Sequence, residues 1–241
     1  MNTIKINRKN TLMVAHRGVS GLEVENTSLA FVAAGNRSYF GVETDVHCTA
    51  DGNFILIHDS HTKRVAGEDT DLVAEETDYA TLRAIRLMDM DGSHTREDIR
   101  LPSLEEYIGI CKKYEKVCVL ELKNHMEESE IGKMIDRIEA MDYLDSVIFI
   151  AFDLENLKSV RRYRPNQTVQ YLFKQFSDEI IQTTLDNHFD VDVHHSALTE
   201  EIVQKLHANG VRINCWTVND PEKAEQLVEW GVDYITTNIL E

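Results

Sequence analysis

Proline and glycine are scarce in this sequence, 3 and 11 of 241 residues, which excludes a linker-rich or low-complexity chain. Positive charge is also short: 25 lysines and arginines stand against 42 aspartates and glutamates, for a formal net charge of −17. Nucleic acids and anionic membrane surfaces require clustered cations, so neither is the expected partner. Long apolar runs are missing as well. None approaches the roughly 18 residues of a membrane span, which argues against stable membrane insertion. The apolar run at 12–15 is too brief for the core of a signal peptide. Cysteine is limited to Cys48, Cys111, Cys118 and Cys215, irregularly spaced and mostly within apolar segments. They read as reduced, packed thiols rather than disulfides or zinc ligands, and the expected location is the cytoplasm. Nothing in the sequence sets an oligomeric state.

What is present is enough for a sizeable core: 42% of residues are hydrophobic, spread along the whole chain. Short β-branched or aromatic runs at 11–16, 40–46, 117–123, 147–152, 168–173, 190–194, 212–218 and 232–236 read as eight strands. Between them, apolar residues recur at helical spacing over 28–36, 103–114, 128–141, 154–163, 178–188, 200–208 and 221–230. Asp220 before Pro221 reads as an N-cap with proline at the first helical position, and Gly231 as the stop of that helix. Thr199 and Gly210 bracket the preceding helix similarly. Strands alternating with helices in a chain of this length predict an α/β protein, a (β/α)₈ TIM barrel forming one domain over 1–241. A doubly wound open sheet is the alternative, but no glycine-rich dinucleotide or phosphate-loop motif follows any strand.

One interval breaks the repeat. Thr49-Ala50-Asp51-Gly52 is a hairpin signal, and 54–58 is a further extended run. The segment at about 59–100 is polar and weakly periodic. After strand two of a barrel it would emerge at the C-terminal face, where active sites are built, as a small insertion beside the site.

The predicted strand ends are rich in ionisable groups. Alternation puts Glu43 and Asp45 on one side of the second strand, and Glu121 and Lys123 on one side of the third. If those sides face the barrel axis, three carboxylates converge near its mouth. Unpaired, they would repel one another and lose their hydration, so a hard divalent cation is their natural companion. An all-oxygen set suits Mg²⁺ or Ca²⁺ better than zinc. His16 closes the first strand and His58 lies in the hairpin return. A pair of histidines beside a metal can accept and donate a proton at the two ends of one reaction. The other eight histidines, among them His47, lack that placement and read as surface or packing residues.

In order along the chain stand His16-Arg17-Gly18, Glu25-Asn26-Thr27, Glu43-Thr44-Asp45, Asp51-Gly52, His58-Asp59, Leu101-Pro102-Ser103-Leu104-Glu105, Glu121-Leu122-Lys123 and Trp216-Thr217-Val218-Asn219. This ordered series resembles the signature of the glycerophosphodiester phosphodiesterases. The resemblance implies a TIM barrel that hydrolyses small glycerophosphodiesters to glycerol 3-phosphate and an alcohol with one divalent metal ion, Mg²⁺ or Ca²⁺. Glu43, Asp45 and Glu121 would hold the metal, and His16 and His58 would be the acid/base pair. Arg17 and Lys123 would bind the phosphate oxygens, and Trp216 would line the glycerol side. The resemblance further implies attack on phosphorus by the glycerol 2-hydroxyl through a cyclic phosphate. Two departures, Val24 before Glu25 and Asn238 with Leu240 near the C terminus, are expected to fall away from the metal and the histidines.

Other readings compete. Lys123 as a Schiff-base nucleophile leaves the three carboxylates without a role. A barrel retained only for binding would not need the full set of reactive groups. A phospholipase-type barrel acting on lipid or lysolipid head groups shares the histidine and metal logic, but calls for a long apolar surface helix or an exposed aromatic loop, and the sequence signals neither.

Overall fold

The computed structural model describes residues 2–241. Eight parallel strands form its centre: β1 (Leu12–Ala15), β2 (Gly41–Cys48), β4 (Val117–Leu122), β5 (Val147–Ala151), β6 (Val169–Phe173), β7 (Asp190–His194), β8 (Ile213–Trp216) and β9 (Tyr234–Thr237). Each pairs with the next, and β1 pairs with both β2 and β9, so the sheet closes on itself. The short strand β3 (Phe54–Leu56) hairpins antiparallel onto the far end of β2. Between the barrel strands run α1 (Ser28–Gly35), α4 (Leu104–Lys113), α5 (Glu128–Ala140), α6 (Leu154–Tyr163), α7 (Asp178–Asp186), α8 (Glu200–His207) and α9 (Pro221–Trp230). This is the (β/α)₈ barrel that the alternating pattern predicts; closure leaves no free edge among the eight strands. No helix among the described residues is long and apolar enough to cross a membrane.

Local chemistry sets the helix ends. Asp220 accepts the Lys223 N–H at 2.8 Å, Pro221 supplies the first helical residue of α9, and Gly231 ends it in the left-handed conformation at φ +90°. At α4, Ser103 and Glu106 satisfy each other's backbone N–H groups, a reciprocal cap. The main core fills the space between sheet and helices and includes Phe31, Tyr107, Phe149 and Val193. A smaller cluster of Val14, Val119, Ile148, Ile150, Leu172 and Tyr234 plugs the lumen. All four cysteines are buried.

The segment between β3 and α4 holds more structure than its sequence suggests: two short helices, α2 (Lys63–Ala66) and α3 (Tyr79–Ala84), and a single turn at Ala74–Glu76. Its apolar residues come singly from many short pieces, which is why no period is visible. Val65, Ala74, Leu82, Ile85, Leu87 and Ile99 gather against Ile55 and Ile57. The alternate residues of the same run, Phe54 and Leu56, face the main core instead, so this extended piece is buried on both sides.

Candidate active site

Strand register brings the carboxylates together. On β2, Glu43 and Asp45 point to the lumen; Asp45 lies in register with Glu121 of β4. One carboxylate oxygen from each of Glu43, Asp45 and Glu121 falls within 4.8 Å of the others, and all three residues are at most 8% exposed. Burial, then the neighbouring Asp45 and Glu121, pushes the Glu43 pKa well above the usual carboxylate range. Burial, then Asp45, raises Glu121 to about 7. Asp45 goes the other way: burial alone would raise it, but Lys123, Arg17 and His58 together outweigh that and hold it below the usual range. The protein's own cations therefore compensate one carboxylate fully and leave two strained toward the neutral form. A hard cation among three buried oxygen donors would relieve that strain, so the residues fit the divalent ion their types suggest.

The turn after β1 is shaped around this cluster. Arg17 sits in the left-handed region at φ +53°, and its backbone N–H donates to Glu43 Oε2 at 2.8 Å. Gly18 follows at φ +75°, where a Cβ would meet Ala30 at 2.6 Å; only glycine fits so close to α1. Asn26, also left-handed at φ +50°, donates to Asp45 at 2.8 Å and accepts from Thr44 at 2.7 Å. The Arg17 guanidinium lies 2.8 Å from Glu25 and 3.5 Å from Asp45. Lys123 places its ammonium 2.8 Å from Glu121 and 3.5 Å from Asp45.

His16, Arg17, Glu43, His58, Glu121 and Trp216 all line one pocket of about 360 Å³ at the C-terminal mouth of the barrel. His58 Nδ1 lies 2.6 Å from Asp59, and Arg64 of α2 binds Asp59 and also Glu25 at 2.8–2.9 Å. A continuous chain thus runs from Arg17 through Glu25, Arg64 and Asp59 to His58, tying the β1 turn to the hairpin return. His16 Nδ1 lies 2.7 Å from Asn238 Oδ1. The expectation that Asn238 stands clear of the histidines is therefore wrong: the chain leaves β9 directly beneath the β1 turn, a proximity that 222 residues of separation conceals. Burial, then Arg17, lowers the His16 pKa to about 4. Burial also lowers His58, against the pull of Asp45 and Asp59 and with that of Arg17 and Lys123.

Trp216 donates from its indole to the Asp192 carbonyl at 3.4 Å and meets Phe152 and His194 edge-on. His47 is a packing residue, one of the two readings its sequence position allows. It continues the row of Glu43 and Asp45 on β2, fully buried, with Nδ1 3.0 Å from Glu75 of the insertion. Sequence reasoning assigned no part to Asn26, Glu25, Asp59, Arg64, Asn238 or Asp192. The signal for Asp192 was available in strand alternation, since Asp190 and Asp192 share one face of β7.

Residues 16–241 match the Glycerophosphoryl diester phosphodiesterase family. The glycerophosphodiester phosphodiesterase of Caldanaerobacter subterraneus subsp. tengcongensis is 28% identical over 238 residues, covering 95% of this chain and 94% of that protein. The enzyme of the same name from Bacillus altitudinis is 28% identical over 240 residues, 95% of this chain and 94% of its own. Among solved structures, a glycerophosphodiester phosphodiesterase from Parabacteroides distasonis is 27% identical, with a TM-score of 0.78 over 95% of this chain and 93% of that one. A phosphodiesterase from Oleispira antarctica, in complex with the product sn-glycerol-3-phosphate, has the same fold, with a TM-score of 0.83 at 22% identity over 97% of this chain and 95% of that one.

Proposed function

The chain belongs to the glycerophosphoryl diester phosphodiesterase family, and from that membership we propose that it hydrolyses small glycerophosphodiesters to glycerol 3-phosphate and an alcohol, assisted by one divalent cation, Mg²⁺ or Ca²⁺. The observation that carries this reading is that Glu43 and Glu121, two members of the buried cluster completed by Asp45, line a single pocket with both histidines and Arg17. The product held by the Oleispira antarctica phosphodiesterase, a protein alike in fold, agrees with it.

In this reading Glu43, Asp45 and Glu121 hold the ion. A divalent cation there supplies electrostatic stabilisation of charge developing on the phosphoryl oxygens. Arg17 and Lys123 serve the same charge from the protein side, and Trp216 borders the glycerol. The local cations also answer how a chain of net charge −17 receives an anion, since charges beyond roughly 8 Å are largely screened at physiological salt.

The partners of the two histidines suggest a division of labour. An amide oxygen can only accept, so Asn238 directs the His16 proton to Nδ1 and leaves Nε2 free to take one. A carboxylate stabilises an imidazolium, so Asp59 suits His58 to give one. His16 removes the proton of the glycerol 2-hydroxyl as that oxygen bonds to phosphorus, and His58 protonates the departing alcohol as its P–O bond breaks. Water then opens the resulting cyclic phosphate: His58 takes the water proton, and His16 returns its own to the 2-oxygen.

We further read the chain as one catalytic domain, with about 59–100 as an insertion whose Arg64 braces the site, and as a cytoplasmic enzyme on the strength of its buried thiols. The test is release of glycerol 3-phosphate from glycerophosphocholine, glycerophosphoethanolamine, glycerophosphoglycerol and intact phospholipid, with Mg²⁺, Ca²⁺ or chelator. Metal-dependent release from the deacylated compounds supports the proposal. Turnover of intact phospholipid alone, or none with either metal, overturns it.

A further inference from the structure

Asp192 is a carboxyl in the pocket wall with no use in the chemistry above. It lies on β7, in register with Leu172 on one side and Asn214 on the other. It is 2% exposed, and among the described residues nothing donates to its Oδ1. The hydroxyl of Thr236 and the amide nitrogen of Asn214, on the neighbouring strands, are committed elsewhere. Thr236 donates to Asn214, and Asn214 donates to Gln170, both at 3.1 Å. Yet Asp192 lines the same 360 Å³ pocket as His16, His58, Glu43 and Glu121, alongside Ile150, Leu172 and Trp216. A buried carboxyl oxygen left without a donor is costly unless one arrives from the pocket itself.

We propose that Asp192 accepts a hydrogen bond from the primary hydroxyl of the substrate's glycerol unit, and so makes the site selective for a free hydroxyl there. The inference rests on the glycerophosphodiester reading and deepens it. A neutral hydroxyl suits the place better than an ammonium group, because Lys174 and Arg17 line the same pocket and already supply positive charge. The glycerol end is favoured over the departing alcohol by depth. The part common to every substrate belongs at the closed end, where Val14, Val119, Ile148 and Tyr234 plug the lumen, while alcohols of differing size need the open mouth. A glycerol acylated at that hydroxyl would lose the hydrogen bond and meet the plug, so lysophospholipids should be excluded by the same residue.

The experiment compares glycerophosphocholine with its 1-deoxy analogue, which keeps the 2-hydroxyl, on the metal-loaded wild type, Asp192→Ala and Asp192→Asn. The wild type should prefer the parent by about 10- to 100-fold in kcat/KM, the range expected when a buried polar acceptor loses its hydrogen-bond partner. In Asp192→Ala the two values should converge, and in Asp192→Asn, whose amide oxygen still accepts, an intermediate preference should remain. The shape-conserving Asn variant also serves if the Ala variant does not fold. Calorimetric binding of glycerol 3-phosphate and its 1-deoxy counterpart repeats the comparison without turnover, so failure of the hydrolytic reading is distinguishable from failure of this one. An unchanged parent-to-analogue ratio in the variants overturns the proposal. So does a loss of metal affinity in Asp192→Asn that lowers both substrates equally, since Asp192 would then act through the metal.

Discussion

Asn238 holds His16 by its side-chain oxygen, 2.7 Å from Nδ1, and so joins the last strand's exit to the first strand's end. The partner is neutral, which matters for acidity. With no carboxylate on it, His16 stays at a pKa of about 4 under burial and the Arg17 charge. Replacing the amide by a carboxylate, Asn238→Asp, should stabilise the imidazolium and raise that pKa. A base must be unprotonated to act, so the acid limb of kcat/KM should move to higher pH in the variant. Asn238→Ala should instead lose about 10- to 100-fold in kcat through misorientation of the ring, the range seen when a supporting partner of a functional histidine is removed. An acid limb that stays in place in Asn238→Asp would show that His16 is not the base.

The burial of the three carboxylates predicts that turnover depends on a divalent cation. Chelation should abolish turnover, and restoring Mg²⁺ or Ca²⁺ should recover it. Glu43→Gln and Glu121→Gln each remove a charged donor while keeping shape, and both should weaken metal binding measured by titration calorimetry. The same changes relieve like-charge repulsion between the buried groups, so the metal-free variants should unfold at higher denaturant than the metal-free wild type. Full activity in excess chelator, from protein shown to contain no metal, is the result that excludes this account.

The barrel and the carboxylates were legible in the sequence for one reason: side-chain parity on a strand is local. Glu43 with Asp45, and Glu121 with Lys123, declare a shared face within three residues, and closure of the sheet turns that face inward. Bounds were clearest where chemistry marks them, as for α6 and α9 behind their aspartate caps. The strand read at 212–218 was overread: β8 ends at Trp216, and Val218 has left the strand while still donating to Thr236 at 3.0 Å. The helices α2 and α3 were missed because four and six residues are too few to show a helical period. The links from Arg64 to Glu25 and from Asn238 to His16 depend on how loops return over 39 and 222 residues, which no local pattern encodes.

The Asp59–Arg64 pair offers a test of stability against pH. Burial alone would raise the Asp59 pKa, but hydrogen bonds from Arg64 and His58 lower it from 3.8 to about 2. A carboxyl whose folded pKa is depressed stabilises the fold above its ordinary value and loses that contribution as pH falls through the folded one. Asp59→Asn should therefore cost stability at pH 7, roughly 1 kcal/mol once screening of this partly exposed pair is allowed for. The gap between variant and wild type should narrow from about pH 4 and close near pH 2. Urea denaturation of both proteins at matched pH measures it directly, and a gap independent of pH would assign the effect to packing.

The nucleophile itself is open to a chemical test. The pocket offers two histidines and no serine or cysteine among its lining residues, so the first attack falls either to water or to the substrate's own 2-hydroxyl. Intramolecular attack has the advantage of proximity, worth an effective concentration of up to roughly 10⁵ M or more for a well-oriented group. If the reaction uses it, a substrate whose 2-hydroxyl is deleted or methylated should still bind through Arg17 and the cation that Glu43, Asp45 and Glu121 would hold, with KM little changed. Its kcat should fall by a factor of about 10³ or more, because a bound water must replace an oxygen tethered to the phosphate through the C2–C3 bond of the glycerol. This pattern differs from that of the 1-deoxy analogue, which loses a binding contact and keeps the nucleophile. Phosphorus NMR during turnover of the parent should also reveal a transient five-membered cyclic phosphate when the second step is slowed, for example by His58→Ala with an activated leaving group that needs no acid. Equal kcat for the 2-deoxy and parent substrates would show direct attack by water, and the cyclic intermediate would have to be abandoned while the metal and both histidines kept their places.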